Sequence, residues 1–206
     1  DSVGISAKLT DYDELFEHLR GNFGVTDCIL IGLCSGADDG LEIAQQRDSV
    51  SGLIFLDGFC PVTFWYHANH YYKRLRYFRY WLQSKQKHKR VKQTKTGFQS
   101  GDIKSSSSNK TYNTGLSLRR WQSEEKIKKM YESILKRDVK VMAIFSGSAG
   151  DYYNHHGQLR RGVRAPTANL HEVYFNKAAH IYSRFDDRVQ LVDSIGSWVQ
   201  LEFSRE

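Results

Sequence analysis

Several features are scarce in this chain, and each scarcity excludes a class of protein. Three cysteines, an odd number with no Cys-x-x-Cys pair, argue against a disulfide framework and for a reducing, cytoplasmic setting. No apolar run approaches the roughly 18–20 residues of a membrane span. No internal repeat, secretory leader or recognised nucleic-acid motif is visible. The chain opens at Asp1 in what reads as the middle of a domain, so a missing leader carries no weight. His155 and His156 are adjacent, without the i, i+4 spacing and acidic partner of a metal helix, so neither metal nor cofactor is expected. What is present is globular: 206 residues, 40% hydrophobic and 13% aromatic, with a formal charge of +7.

The stretch that organises the rest runs from Cys28 to Ala37, Cys-Ile-Leu-Ile-Gly-Leu-Cys-Ser-Gly-Ala. An apolar run leads into Gly32-x-Cys34-x-Gly36, and a helix-like segment follows. Such a pattern predicts a strand, a sharp strained turn with a nucleophile at its tip, and a helix. Both glycines are expected where side chains would clash with adjoining backbone. The helix N-terminus beyond the turn favours a thiolate or an oxyanion, with the Ser35 N–H as one oxyanion donor. The plainer reading of Cys34 is a small buried hydrophobe. Ser35 is a rival nucleophile one residue past the tip, and Asp38 and Asp39 fall in the first helical turn, where carboxylates favour the helix dipole.

Along the chain, residues 1–10 read as a loop and Thr10 or Asp11 caps a helix with Leu15, Phe16 and Leu19 on one face. Strands are predicted over 27–31, 50–56, 139–145 and 171–175, and helices over 36–46, 123–137, 152–160 and 184–201. Strand–helix–strand in this order implies parallel pairing, hence an α/β fold with a mostly parallel sheet and flanking helices. The core comprises residues 1–63 and 119–206. Between them, residues 64–118 read as a cap insertion. It opens with aromatics interleaved with Lys73, Arg74, Arg76 and Arg79, continues through a basic stretch from Lys85 to Lys95, and passes Ser105 to Ser108. Its aromatic face can pack on the sheet while the basic heads reach water, or it can hold an anionic or sugar-containing substrate, an anionic membrane or nucleic acid.

A nucleophile, an acid and a histidine each follow a predicted strand, and strand C-terminal ends are where α/β sheets build sites. Cys34 would attack, His180 would take its proton, and Asp151 would orient the imidazole. Asp57 is the alternative acid, from the strand after the elbow. Trp65, Tyr66, Tyr152 and Tyr153 are the aromatics expected against a substrate.

The residues resemble the α/β-hydrolase superfamily over essentially the whole chain. Asp1-Ser2-Val3-Gly4-Ile5-Ser6 is similar to the D-x-x-G-x-S loop before the elbow, and residues 31–37 to the elbow itself, with Cys for the commoner Ser. Leu53 to Gly58 match the following strand, and Ala178-Ala179-His180 the histidine loop. Within that superfamily the elbow, the aromatic-basic cap and Tyr152-Tyr153-Asn154…Gln158 look most like serine-aminopeptidase-type hydrolases of bacterial polysaccharide-biosynthesis and exosortase clusters. A cysteine nucleophile is also similar to dienelactone hydrolases, which the large cap does not fit. The resemblance implies first strands and a second oxyanion donor that would precede Asp1; without them, strand one is a bare apolar edge open to a partner chain or to self-association.

Together these features lead to two expectations. One is an enzyme that hydrolyses or transfers an acyl group from a small acyl or sugar-linked ester or thioester. The other is a non-catalytic module of the same fold that holds an anionic polymer, membrane or protein partner at its basic cap; no specific nucleic acid is expected.

Overall fold

The computed structural model describes residues 2–72, 74–76 and 122–204. Most of the expected cap, including the basic stretch and the serine run, lies outside the described residues.

Among the described residues, four strands form one parallel sheet: β1 (Cys28–Leu33), β2 (Val50–Leu56), β3 (Lys140–Ser146) and β4 (Leu170–Phe175), side by side in chain order. The helices are α1 (Ser2–Phe23), α2 (Ser35–Gln46), α3 (residues 64–72), α4 (Glu124–Lys136), the short α5 (Gln158–Gly162) and α6 (Phe185–Phe203). A 3-10 turn, Gly147–Asp151, follows β3.

The period-2 alternation of the central strands explains the layering. Leu53 and Phe55 of β2 and Val141, Ala143 and Phe145 of β3 point into a core with α1, α2 and α4. Ile54 and Leu56, with Met142 and Ile144, point the other way, toward Trp198 of α6 and Tyr182. Both faces of β2 and β3 are therefore covered, and their sequences are continuous apolar runs for that reason. In α4, Ser123 Oγ accepts the Lys126 N–H at 3.3 Å, two glutamates open the first turn, and Ile127, Met130, Tyr131, Ile134 and Leu135 form the buried stripe expected from their spacing.

Three expectations need correction. Residues 2–10 are helical, not a loop. The Thr10 hydroxyl donates back to the Ser6 carbonyl at 3.0 Å instead of capping forward, and Lys8 pairs with Asp39 of α2. The buried face of α1 is Tyr12 and Phe16, stacked with ring centroids 5.8 Å apart, while Leu15 is exposed. The stretch 152–160 is not one helix: Gly157 in a left-handed conformation (φ 80°) delays α5 until Gln158. On α6, Trp198 is the buried side chain, while Val189 and Val192 are exposed. Strand β1 lies at the sheet edge, where Ile31 is 64% exposed.

Candidate active site at the C-terminal rim of the sheet

All four strands are parallel, so their C-terminal ends share one rim, and the loops leaving them carry Cys34, Asp57, Ser146 and His180. At the end of β1, Cys34 has φ 55° and ψ −117°, a left-handed φ that costs a non-glycine residue of order 1–3 kcal/mol. The turn is tight enough that a Cβ on Gly32 would lie 2.4 Å from the Gly36 carbonyl oxygen and 2.6 Å from the Ala37 nitrogen. Gly36 differs from expectation. Nothing lies within 4 Å of where its Cβ would be, so the clash constrains only the first glycine. The Cys34 carbonyl accepts the N–H groups of Ala37 and Asp38 at 3.1 and 3.2 Å, starting α2. Ser35, the first residue of α2, has an N–H with no acceptor inside the helix.

The turn is tied to its neighbour. The Cys34 N–H donates to the Leu56 carbonyl at 2.8 Å, one residue before Asp57. Asp57 also has a left-handed φ of 52°, and its side chain is wholly buried. Its Oδ1 accepts the Ser146 N–H at 2.6 Å; its Oδ2 accepts the Ser146 hydroxyl at 2.7 Å and lies 2.6 Å from His180 Nδ1. Such a carboxylate places the imidazole N–H on Nδ1 and leaves Nε2, on the far side of the ring, as the basic atom. The His180 side chain is 40% exposed, so a buried acid is joined here to a solvent-reaching base.

The histidine loop is held from below. The His180 N–H donates to Ser148 Oγ at 3.0 Å, and the Gly147 N–H to the Ala178 carbonyl at 3.0 Å. A Cβ on Gly147 would lie 2.4 Å from the Asn176 oxygen, so the two loops meet only because that residue is glycine. Tyr182 closes the loop with φ 47° and a buried ring; desolvation, then the charge of Asp57, pushes its phenol well above the usual range.

The acid beside the histidine is thus Asp57, the alternative, and not Asp151. Asp151 ends the 3-10 turn at the surface; its carbonyl accepts the Tyr66 hydroxyl and its carboxylate makes no hydrogen bond to His180. The geometric reason is local. β2 and β3 are sheet neighbours, so the first residue past β2 meets the last residue of β3, whereas Asp151 is displaced by a full turn. Asp38 is also buried, its Oδ1 accepting the Phe59 N–H at 2.8 Å, so it pins the loop after β2 to α2.

The aromatics separate. Trp65 is exposed, and the half-buried Tyr152 donates its hydroxyl to the Asp57 carbonyl at 2.8 Å. Tyr66 is buried. Tyr153 is wholly buried, stacked on Phe145 at 3.8 Å with its hydroxyl on Glu172 at 2.8 Å, so it is a core residue with no surface for a ligand. Desolvation, then Glu172, holds the Tyr153 phenol well above its ordinary range. The residues that sequence reasoning missed are Ser146 and Ser148, which hold the acid and the histidine loop. One signal pointed to Asp57: an acid placed directly after a strand apolar on both faces.

Among the described residues, no cluster of three or more His, Cys, Asp or Glu could hold a metal ion, and no helix is long and apolar enough to cross a membrane. No known protein family matches the sequence, and no curated protein matches it, so the chemistry must be read from the rim itself.

Proposed function

We propose that the chain is an α/β-hydrolase-type enzyme that acts on an ester, thioester or related acyl compound through Cys34, His180 and Asp57. The observation that supports this most is the 2.6 Å pairing of a solvent-reaching imidazole with a buried carboxylate, on the rim that also presents Cys34 at a strained strand-to-helix turn. In this reading the Cys34 thiol gives its proton to His180 Nε2 and the sulfur adds to the acyl carbon. The Ser35 N–H faces the oxygen that gains charge; one such donor contributes about 3–4 kcal/mol. Collapse breaks the bond to the alcohol or thiol, which leaves with the proton from His180. Water or an acceptor alcohol then attacks the thioester, His180 takes its proton, and the acid or transferred ester departs as the thiol re-forms. Tyr152, whose hydroxyl donates to the Asp57 carbonyl, is the aromatic that would border a substrate in this reading.

Turnover of a short-chain p-nitrophenyl ester tests this, with Cys34→Ala and His180→Ala as controls. Loss in both variants is expected. Undiminished turnover in Cys34→Ala overturns the reading.

The exposure of Ile31 and Leu33 on edge strand β1 favours a second reading, a non-catalytic module that takes a partner chain along that edge. Iodoacetamide separates the two. An active site requires Cys34 to be alkylated faster than Cys28 and the rate to fall in His180→Ala. Equal rates that ignore His180 favour the module.

A further inference from the structure

Helix α3 has its apolar side turned outward. It begins where the loop after β2 ends: Thr63 caps it, its Oγ1 accepting the Tyr66 N–H at 3.2 Å and its carbonyl the His67 N–H at 3.3 Å. Residues 64–72 and 74–76 are helical. Tyr66 is the anchoring side chain. It is buried, its hydroxyl donates to the Asp151 carbonyl, its own carbonyl accepts Asn154 Nδ2 at 2.9 Å, and its ring stacks on His70 at 6.1 Å. At about 100° per residue, Tyr71, Phe64, Ala68, Tyr72 and Trp65 of α3 fall within an arc of roughly 120° on the side away from Tyr66. Phe64, Trp65, Tyr71, Tyr72 and Leu75 are each at least 60% exposed. Arg74 and Arg76, both exposed, follow that face in the chain. A helix that serves only the core of its own domain turns its apolar arc inward.

We infer that this outer face of α3 docks in the plane of an anionic lipid bilayer. The residue types fit the depth profile of such a surface. Phe64 and Leu75 reach the acyl boundary, Trp65, Tyr71 and Tyr72 sit at headgroup level with an apolar body and a polar tip, and Arg74 and Arg76 meet lipid phosphates. Charge selects the occupant. Residues 64–76 contain no acid, and the whole chain is formally +7. A second copy of the same face would bring arginines against arginines, whereas an anionic headgroup layer neutralises them. Among the described residues no helix is long and apolar enough to cross a membrane, so the face lies on the surface of the bilayer. The inference does not depend on the acyl chemistry proposed above.

The test is co-sedimentation of the full chain with phosphatidylcholine vesicles, with and without about one-third phosphatidylglycerol, at two salt concentrations differing severalfold. The chain is expected to bind the anionic vesicles at least tenfold more tightly than the neutral ones and to be released by salt. The Trp65 region gives a second readout as a shift of tryptophan emission to shorter wavelength on binding. Phe64→Ser with Leu75→Ser, and separately Arg74→Glu with Arg76→Glu, should each reduce binding at least tenfold, with circular dichroism unchanged. The arginine pair is exposed, so it keeps the test valid if the apolar pair misfolds. Three outcomes overturn the inference: no binding to anionic vesicles; binding that survives both double variants; or a wild-type dimer that the Phe64/Leu75 variant dissociates, which would make a second copy the occupant.

Discussion

Asp57 and Glu172 are the same kind of object in two different places. Each is a buried carboxylate with three hydrogen-bonding partners. Asp57 has the Ser146 N–H, the Ser146 hydroxyl and His180 Nδ1; Glu172 has the Tyr153 hydroxyl and the N–H groups of Leu159 and Arg160. Glu172 lies within β4, and its side-chain partner Tyr153 is sealed in the core. Asp57 lies just past β2, and one of its two side-chain partners, His180, reaches water. A carboxylate whose side-chain partner is sealed in the core holds structure together. A carboxylate that passes its polarity to a solvent-reaching imidazole can take part in chemistry. Hydrogen-bond count does not distinguish the two; the destination of the network does.

That comparison breaks most sharply at Asp57. Asp57→Asn should lower ester turnover by roughly 10²–10⁴-fold, because Nδ1 loses the acceptor that fixes the tautomer. Asp151→Asn should change it by less than about twofold, as its carboxylate does not contact His180. The reverse ranking would return the acid role to Asp151. Glu172→Gln should act on stability instead. Loss of a charged acceptor for two backbone N–H groups and a buried phenol costs about 1–3 kcal/mol in urea unfolding, with turnover per folded molecule little changed. A turnover loss at Glu172 matching that at Asp57 would erase the distinction drawn here.

The thiols extend the contrast. Cys60 is wholly buried, and desolvation, then the charge of Glu172, pushes it well above the ordinary thiol range. In the folded protein iodoacetamide should therefore modify Cys34 at least about tenfold faster than Cys60, read by peptide mass spectrometry. Denaturation should abolish that ratio. The smallest effect is expected at Asp13, a carboxylate with good partners near the surface. Arg47 Nε and Nη2 each lie 2.6 Å from its oxygens and hold its pKa below the ordinary 3.8. The folded pKa is the depressed one, so this contribution is present above about pH 3.8 and is lost as pH falls through the folded value. The stability gap between wild type and Asp13→Asn should be small at neutral pH and should close on acidification. A gap that widens in acid would reverse the sign.

Local sequence carried much of the fold. β2 was legible from end to end, Val50–Leu56, because a strand buried on both faces is apolar at every position that packs. The stripe of α4 was legible because Ile127, Met130, Tyr131, Ile134 and Leu135 repeat with the helical period. The Cys34 turn was legible because only a glycine fits at position 32. Residues 2–10 were not, since helix formation there depends on contacts such as Lys8 with Asp39 that no local window contains. Nor was the inward fate of Tyr153, since aromatic character alone does not say whether a ring meets the core or a ligand.

Composition and periodicity alone determined a parallel α/β sheet, a strained thiol at the end of its first strand, and a histidine in the loop after its last. The choice between two acids 94 positions apart was decided only when β2 and β3 lay side by side, which set Asp57 against both donors of Ser146. Hydrogen bonding is short-ranged and directional, so the partner of His180 is set by strand order and by where each loop leaves the sheet, which are properties of the assembled chain.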